Sequence, residues 1–180
     1  MRRPDLVPDC ASCAAICCTA TSFDACEDFA FDKPAGVACG HLRGDGRCAI
    51  HDELAVRGFT GCAVYDCYGA GPRVTRAFAG VRCADRRRDA AFLVLRVLHE
   101  LLWLSTEAVK LCPASAVELR GKLAAQIDAL DAIACSPDAL AEVDLAQLDR
   151  ATRAVLRRVG SALGGRRAVR HRLAVLPPEP

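Results

Sequence analysis

Polar residues recur at helical spacing through the second half of the chain. From Asp89 to about Leu111, Arg96, Glu100, Glu107 and Lys110 leave a wide apolar face of Leu93, Val94, Val97, Leu98, Leu101 and Leu104, which predicts a long amphipathic helix. Pro113 follows its end. Ser115 with Glu118 three residues on has the form of a capping box, and Val117, Leu119, Leu123, Ile127, Leu130 and Ile133 continue as a second helix. Ser136 and Pro137 break that run. A short turn from Pro137 to Leu140 and a third helix from about Asp144 to Leu163, stopped by Gly164 and Gly165, complete the pattern. Short connections between successive helices predict an antiparallel helical bundle or hairpin of about three helices over residues 85–164, with Trp103 and Leu104 in its core or at a helix interface. The longest apolar stretch, Ala90 to Val109, carries Arg96, His99, Glu100 and Glu107, so it reads as a core helix and not as a membrane span.

Residues 1–84 follow another pattern. Leu, Ile, Val and Met number 9 between residues 10 and 83, against 24 between residues 85 and 163. Seven of the nine aromatics (Phe23, Phe29, Phe31, Phe59, Tyr65, Tyr68 and Phe78) lie in this first half, but a segment of its size usually needs staples as well. The staples on offer are cysteines. Ten of the twelve fall between Cys10 and Cys83, a density expected of a metal site or a disulfide scaffold. The start of the chain has no apolar run of the kind a secretory signal needs, so a cytoplasmic location is expected, and reducing conditions there favour metal over disulfides. The fold class expected is therefore mainly α: a small cysteine-rich, metal-organised domain over 1–84, the helical bundle, and an Arg/Pro-rich tail over 165–180.

Whole-chain composition narrows the function. With 180 residues, 52% hydrophobic, 26% charged and a net charge of +2, the chain is a folded protein with room for one ordinary domain or two small ones, and not a polybasic nucleic-acid binder. Twenty-one Arg against three Lys, with no Asn, fits a bacterial genome rich in G and C. Charge is nevertheless uneven: residues 1–149 sum to −5 and residues 150–180 to +7. Arg150, Arg153 and Arg157 share a helical face, and Arg166, Arg167, Arg170 and Arg172 follow, a pattern open to nucleic acid or an anionic surface but most simply a solvated face and tail.

The candidate chemistry begins at Cys10-x2-Cys13-x3-Cys17-Cys18. A C-x2-C unit lets two thiolates converge on one metal from a tight turn. Adjacent cysteines are expected to point apart, so that Cys17 and Cys18 serve different metals or one ligates while the other packs. Cys26, Cys39, Cys48, Cys62, Cys67 and Cys83 are further candidates, with His41 and His51 nearby. The run from Cys10 to Cys18, then Cys39-Gly-His41-Leu42, Cys48-x2-His51 and Cys62-x2-Tyr65, resembles the bacterial cysteine-cluster family of zinc- or iron-chelating domains, matching at Cys10, Cys13, Cys17, Cys18, Cys39, Cys48 and Cys62. Asp32 to Gly36, Gly58 to Cys62 and Tyr65 to Gly71 are similar to the N-terminal region of actinobacterial pentapeptide-repeat proteins, which brings in Cys67. The resemblance covers residues 9 to about 80. It implies a metal-binding protein with ligands Cys10, Cys13, Cys17, Cys18, Cys39, Cys48, Cys62 and Cys67.

Three departures go with it. One residue more than usual separates Cys13 from Cys17, His51 stands where relatives carry Tyr, and no pentapeptide repeats follow, so neither their β-helix nor DNA mimicry is implied. Cys112 and Cys135 are expected as small buried residues of the bundle.

Eight thiolates accommodate two zinc ions, zinc with an iron-sulfur cluster, or one cluster with spare thiols. Four thiolates close a coordination sphere, so the expected role is structural, and an enzyme is the less favoured reading. The function expected is a cytosolic metal-binding protein with a helical half that docks a protein partner. The alternatives are an iron-sulfur redox or metal-dependent enzyme, and an interaction or nucleic-acid-binding module that uses the Arg-rich C-terminus. A redox dithiol at Cys10 and Cys13 lacks the preceding strand it needs, and Gly69-Ala-Gly71-Pro72 reads as a turn and not a phosphate cradle. His99 is expected as a half-buried interface histidine.

Overall fold

The computed structural model describes residues 4–79 and 86–164. Its described residues form seven α-helices and no β-strand: α1 Cys17–Ala20, α2 Thr60–Ala63, α3 Ala70–Ala77, α4 Arg86–Leu111, α5 Val117–Cys135, α6 Pro137–Glu142 and α7 Leu145–Ala162. The protein is mainly α. It folds as two units, Met1–Glu100 and Leu101–Pro180. Among the described residues no helix is long and apolar enough to cross a membrane.

In the first unit, long loops are closed by local hydrogen bonds and three isolated bridges, Phe23 with Lys33, Cys26 with Phe29, and Leu42 with Cys48. Its apolar interior is small. Leu6, Ile16, Ile50, Phe59, Val74, Phe92, Leu95 and Leu98 are buried, and an aromatic group stands in for missing aliphatics. Phe23 stacks on Phe29 with ring centres 4.3 Å apart, while Phe59 meets Phe31 edge-on at 5.1 Å, geometries that ring quadrupoles favour. A buried polar knot ties α1 to the start of α4. The Thr19 hydroxyl lies 2.9 Å from Asp89 Oδ1, and Arg88 donates to Thr19 Oγ1 and to Asp89 Oδ1, each at 3.1 Å. Each charge in this ion pair is thus met, as a buried pair requires.

Helix α3 starts at Gly69, whose φ of +78° is the left-handed conformation that costs glycine little. The Gly69-Ala-Gly71-Pro72 segment is therefore a helix start where a turn was expected, with Pro72 in the first turn, a position proline tolerates. His99 is fully buried, not half-buried: Nδ1 lies 2.7 Å from Tyr68 O and Nε2 lies 3.2 Å from Arg73 Nη1. A carbonyl needs a donor and a guanidinium an acceptor, which fits a neutral ring with its proton on Nδ1.

In the second unit, α4, α5 and α7 share one core of Ala108, Cys112, Leu119, Leu123 and Val159. Gln126 donates to Ser105 Oγ at 2.7 Å, while Arg120 donates to the Val109 and Cys112 carbonyls at 3.0 Å. Later residues of α5 thus meet earlier residues of α4, the antiparallel sense, and Arg120 satisfies carbonyls left open where α4 ends.

Several local expectations fail. Ser115 is not the cap: α5 starts after Ala116 with no side-chain hydrogen bond, and the turn is closed instead by Ala116 N–H to Pro113 O. Val117, at the first position of α5, is 73% exposed, and Leu93 is 43% exposed because α4 carries leucines on every side and cannot bury them all. The buried stripe of that helix runs through Phe92, Leu95, Leu98, Leu102 and Ser105. Cys112 is buried as expected, but Cys135, at the last position of α5, is exposed. Residues 137–142 form a short helix capped by Ser136 where a turn was expected. Asp144 caps α7 by accepting from Gln147 N–H at 2.9 Å. Arg150, Arg153 and Arg157 are exposed on α7, with Arg153 paired to Asp149, and the basic residues from Arg166 to Arg172 lie outside the described residues.

Thr152, buried to 1% exposure on α7, has no hydrogen-bond partner for its hydroxyl among the described residues. Replacing it by an isosteric methyl removes an unmet buried polar group. Thr152→Val is expected to raise unfolding free energy by about 1 kcal/mol in urea titration; a loss of stability contradicts this assignment.

Candidate functional site

Local backbone structure in the first unit brings the cysteines together. The 3-10 turn Cys10–Ser12 is capped by Asp9, whose Oδ1 accepts from Ala11 N–H at 3.1 Å and Ser12 N–H at 3.2 Å. Ala15 has φ +46°, a left-handed conformation that is strained for any residue bearing a Cβ. It lies among the residues between Cys13 and Cys17, where the sequence has its additional residue, and turns the chain into α1. Tyr68, directly after Cys67, has φ +50°. Strain of this kind collects where the surrounding structure over-determines a site.

Contacts confirm the crowding. A Cβ built on Gly71 would stand 2.7 Å from Cys13 Sγ and 3.7 Å from Cys67 Sγ, so the absence of a side chain there makes room for two sulfurs. Thr75 accepts from Ala14 N–H at 3.0 Å and keeps its hydroxyl 3.8 Å from Cys13 Sγ. Cys39 N–H donates to Cys18 O at 2.8 Å, and the bridge from Leu42 to Cys48 holds the next cysteine beside that loop.

All eight sequence-selected cysteines, Cys10, Cys13, Cys17, Cys18, Cys39, Cys48, Cys62 and Cys67, line one cavity of about 420 Å³. His41 and His51 open on it too. His41 packs between Phe31 and Phe59, whereas the exposed His51 lies 3.4 Å from Asp52 Oδ1. Cys26 is exposed outside the cavity, Cys112 and Cys135 belong to the second unit, and Cys83 lies outside the described residues. Among the described residues, no three Cys, His, Asp or Glu side chains converge closely enough to hold an ion as they stand. The sulfurs line a common wall without meeting at a point.

The thiols differ electrostatically. Cys17 and Cys18 stand side by side at the start of α1. The neighbouring Cys18 thiol holds Cys17 down to about 7 and is itself pushed well above the ordinary thiol range. Backbone N–H groups of Cys18 and Cys17 add to the lowering at Cys17, and that of Ile16 stabilises charge on Cys13. Burial pushes Cys10 and Cys13 up, and Cys62 up to about 11. Tyr65 is held at about 12, first by burial, with Arg96 opposing from 5.8 Å over its ring.

Lys33 is a buried charge near the cysteines to which the sequence reading gave no role. It is only 3% exposed, and its Nζ donates to the Thr19 and Pro34 carbonyls at 3.3 Å and to the Thr21 carbonyl. Burial lowers its pKa, while the sulfurs of Cys39, Cys18 and Cys17 are the first charges that oppose this. The Asp32 to Gly36 segment that carries the resemblance includes Lys33, but nothing in it says that the side chain is buried.

Over 113 residues, 59% of this chain and 40% of the relative, the sequence is 36% identical to the uncharacterized protein YybG of Bacillus subtilis (strain 168). The chain thus spans less than half the length of that curated relative. No family profile and no solved structure matches it.

Opposite effects are expected at two positions beside Cys13. Gly71→Ala forces a methyl against Cys13 Sγ and should cost about 1–3 kcal/mol, the usual range for overpacking. Ala15→Gly removes left-handed strain and should add roughly 0.5–1 kcal/mol, somewhat less than that strain because glycine gains freedom when unfolded. Urea midpoints of the two variants check both signs.

Proposed function

We propose that this is a metal-binding protein of the cytoplasm in which Cys10, Cys13, Cys17, Cys18, Cys39, Cys48, Cys62 and Cys67 hold zinc or an iron-sulfur centre. The metal staples the first unit, and the helical unit serves as an interaction surface for a protein partner. One observation carries the reading: eight thiols spaced over 58 residues open on a single cavity, and the three other described cysteines do not. The resemblance of the cysteine string to zinc- or iron-chelating domains supports it.

The donor types fit such a group, and the sulfurs would have to draw together round it, since no three converge among the described residues as they stand. Thiolate is a ligand common to zinc and iron-sulfur centres. Gly71 leaves space for sulfur, amide N–H groups face Cys13 and Cys17, and the buried Lys33 supplies a positive charge beside the thiols. A bound metal would supply cross-linking and charge neutralisation at the cavity, with binding free energy on the order of 10 kcal/mol for a structural zinc site. That is comparable with the whole stability of a small domain. It offsets the shortage of aliphatic side chains in residues 10–83.

Anaerobically purified protein is expected to contain at least one equivalent of zinc plus iron per chain; less than one in a folded monomer overturns the reading. A visible absorbance that bleaches on reduction identifies the iron-sulfur form, and colourless protein identifies zinc. Cys18 and Cys62 hold their protons at neutral pH in the metal-free protein, so loading must expel protons and apparent affinity must fall as pH falls. Proton release on zinc addition to weakly buffered metal-free protein checks this; none, with metal bound, excludes these thiols as ligands.

A further inference from the structure

Two of the eight sulfurs crowd one point on α3. A Cβ built on Gly71 would stand 2.7 Å from Cys13 Sγ and 3.7 Å from Cys67 Sγ, so the sulfurs lie no further apart than those two distances laid end to end. The helix holds both of their loops. Ala14 N–H donates to Thr75 Oγ1 at 3.0 Å, and that hydroxyl donates to Gly71 O at 2.9 Å, which ties the backbone after Cys13 to α3. On the other side, Ala70 N–H donates to Cys67 O at 2.9 Å. Both cysteines are half-buried and line the cavity of about 420 Å³, where a small solute can reach them.

Among the described residues no three Cys, His, Asp or Glu side chains converge on an ion, but a disulfide needs only two sulfurs. Cys17 and Cys18 do not suit one, because consecutive Cα atoms are about 3.8 Å apart, short of the roughly 4.4–6.8 Å that a disulfide spans. Cys13 and Cys67, far apart in sequence, are free of that restraint. Closing the remaining gap takes rotation about their Cα–Cβ bonds, and the missing side chain at Gly71 leaves the space for it. Backbone strain marks the same two places: Ala15, two residues after Cys13, has φ +46°, and Tyr68, directly after Cys67, has φ +50°. Such strain collects at switch regions as well as at binding sites.

We propose that Cys13 and Cys67 are an oxidation-sensitive pair that closes to a disulfide when the metal-free chain meets hydrogen peroxide. One thiolate attacks a peroxide oxygen, the O–O bond breaks, a sulfenic acid forms, and the departing oxygen takes up a proton and leaves as water. The second thiol then attacks that sulfur. An S–S bond forms, the S–O bond breaks and a second water leaves, so the two sulfurs lose the two electrons that the peroxide gains. The consequence for metal rests on the metal-binding reading above: a closed pair withdraws two of the eight thiols, and bound metal shields them from oxidation.

The test uses the full-length chain, reduced, freed of metal with a chelator and treated with one equivalent of hydrogen peroxide. Remaining thiols are alkylated, and peptic peptides are sequenced by fragmentation. A bridge between Cys13 and Cys67 is expected to outweigh all other bridges together, with Cys17, Cys18, Cys39 and Cys62 alkylated. Cys13→Ser should lose that bridge and Cys26→Ser should keep it. Bridges mainly between other cysteines, or none, overturn the pair, and the native map decides this by itself should Cys13→Ser fail to fold. Zinc separates this outcome from the failure of metal binding. The zinc-loaded native chain should resist the same treatment, and the bridged chain should take up less zinc than the reduced one. No bridge, with zinc uptake by the reduced chain intact, overturns the pair and leaves metal binding standing. A bridge in a chain whose reduced form takes up no zinc supports the pair and overturns metal binding, while full uptake by the bridged chain contradicts the link between the two.

Discussion

Sulfur crowding round one cavity is the constraint on which the first unit depends. Eight thiols face a space of about 420 Å³ in a segment with few aliphatic side chains. Thiols alone supply little there, since each is a small and weakly polar group. Unmet thiolates, by contrast, would repel one another in a partly buried space. Under the proposed reading a bound metal would resolve both problems, converting mutual repulsion into shared ligation. The buried Lys33 fits the same logic, because a nearly dry ammonium bonded only to carbonyls is costly unless negative charge stands near it.

Neighbouring features follow from holding those sulfurs in place. Left-handed backbone at Ala15 and Tyr68 flanks Cys13 and Cys67, and Gly71 is bare where two sulfurs approach. The Thr19, Arg88 and Asp89 knot and the His99 ring, lodged between Tyr68 O and Arg73, anchor the loops to α4. A domain with a larger apolar interior would fix its loops by packing. Here polar links and aromatic stacking carry that task.

The second unit obeys more familiar rules, and its elements were legible for that reason. A 3.6-residue pattern punctuated by Pro113, Ser136, Pro137 and Asp144 located α4, α5 and α7 closely. Finer details were less readable where the pattern was ambiguous: leucines all round α4 hid its inward stripe, and Ala116 took the start of α5 that Ser115 was expected to cap. Cys135 looked buried by residue type but ends a helix in solvent. In the first unit, the resemblance to cysteine-cluster and pentapeptide-repeat proteins picked out the eight cysteines that share a cavity, yet it says nothing of how Cys17 and Cys18 orient. Lys33 was illegible, since only tertiary structure makes a single lysine a counter-charge.

The central claim is that metal does in residues 4–79 what an aliphatic core does in residues 117–162. Amide hydrogen exchange of the full chain, measured before and after chelation under reducing conditions, tests it most directly. Protection across Cys10 to Cys67 should collapse on metal removal and return on reloading, while α5 and α7 retain theirs. Unchanged protection in the first unit, with metal verified as removed, would contradict the account.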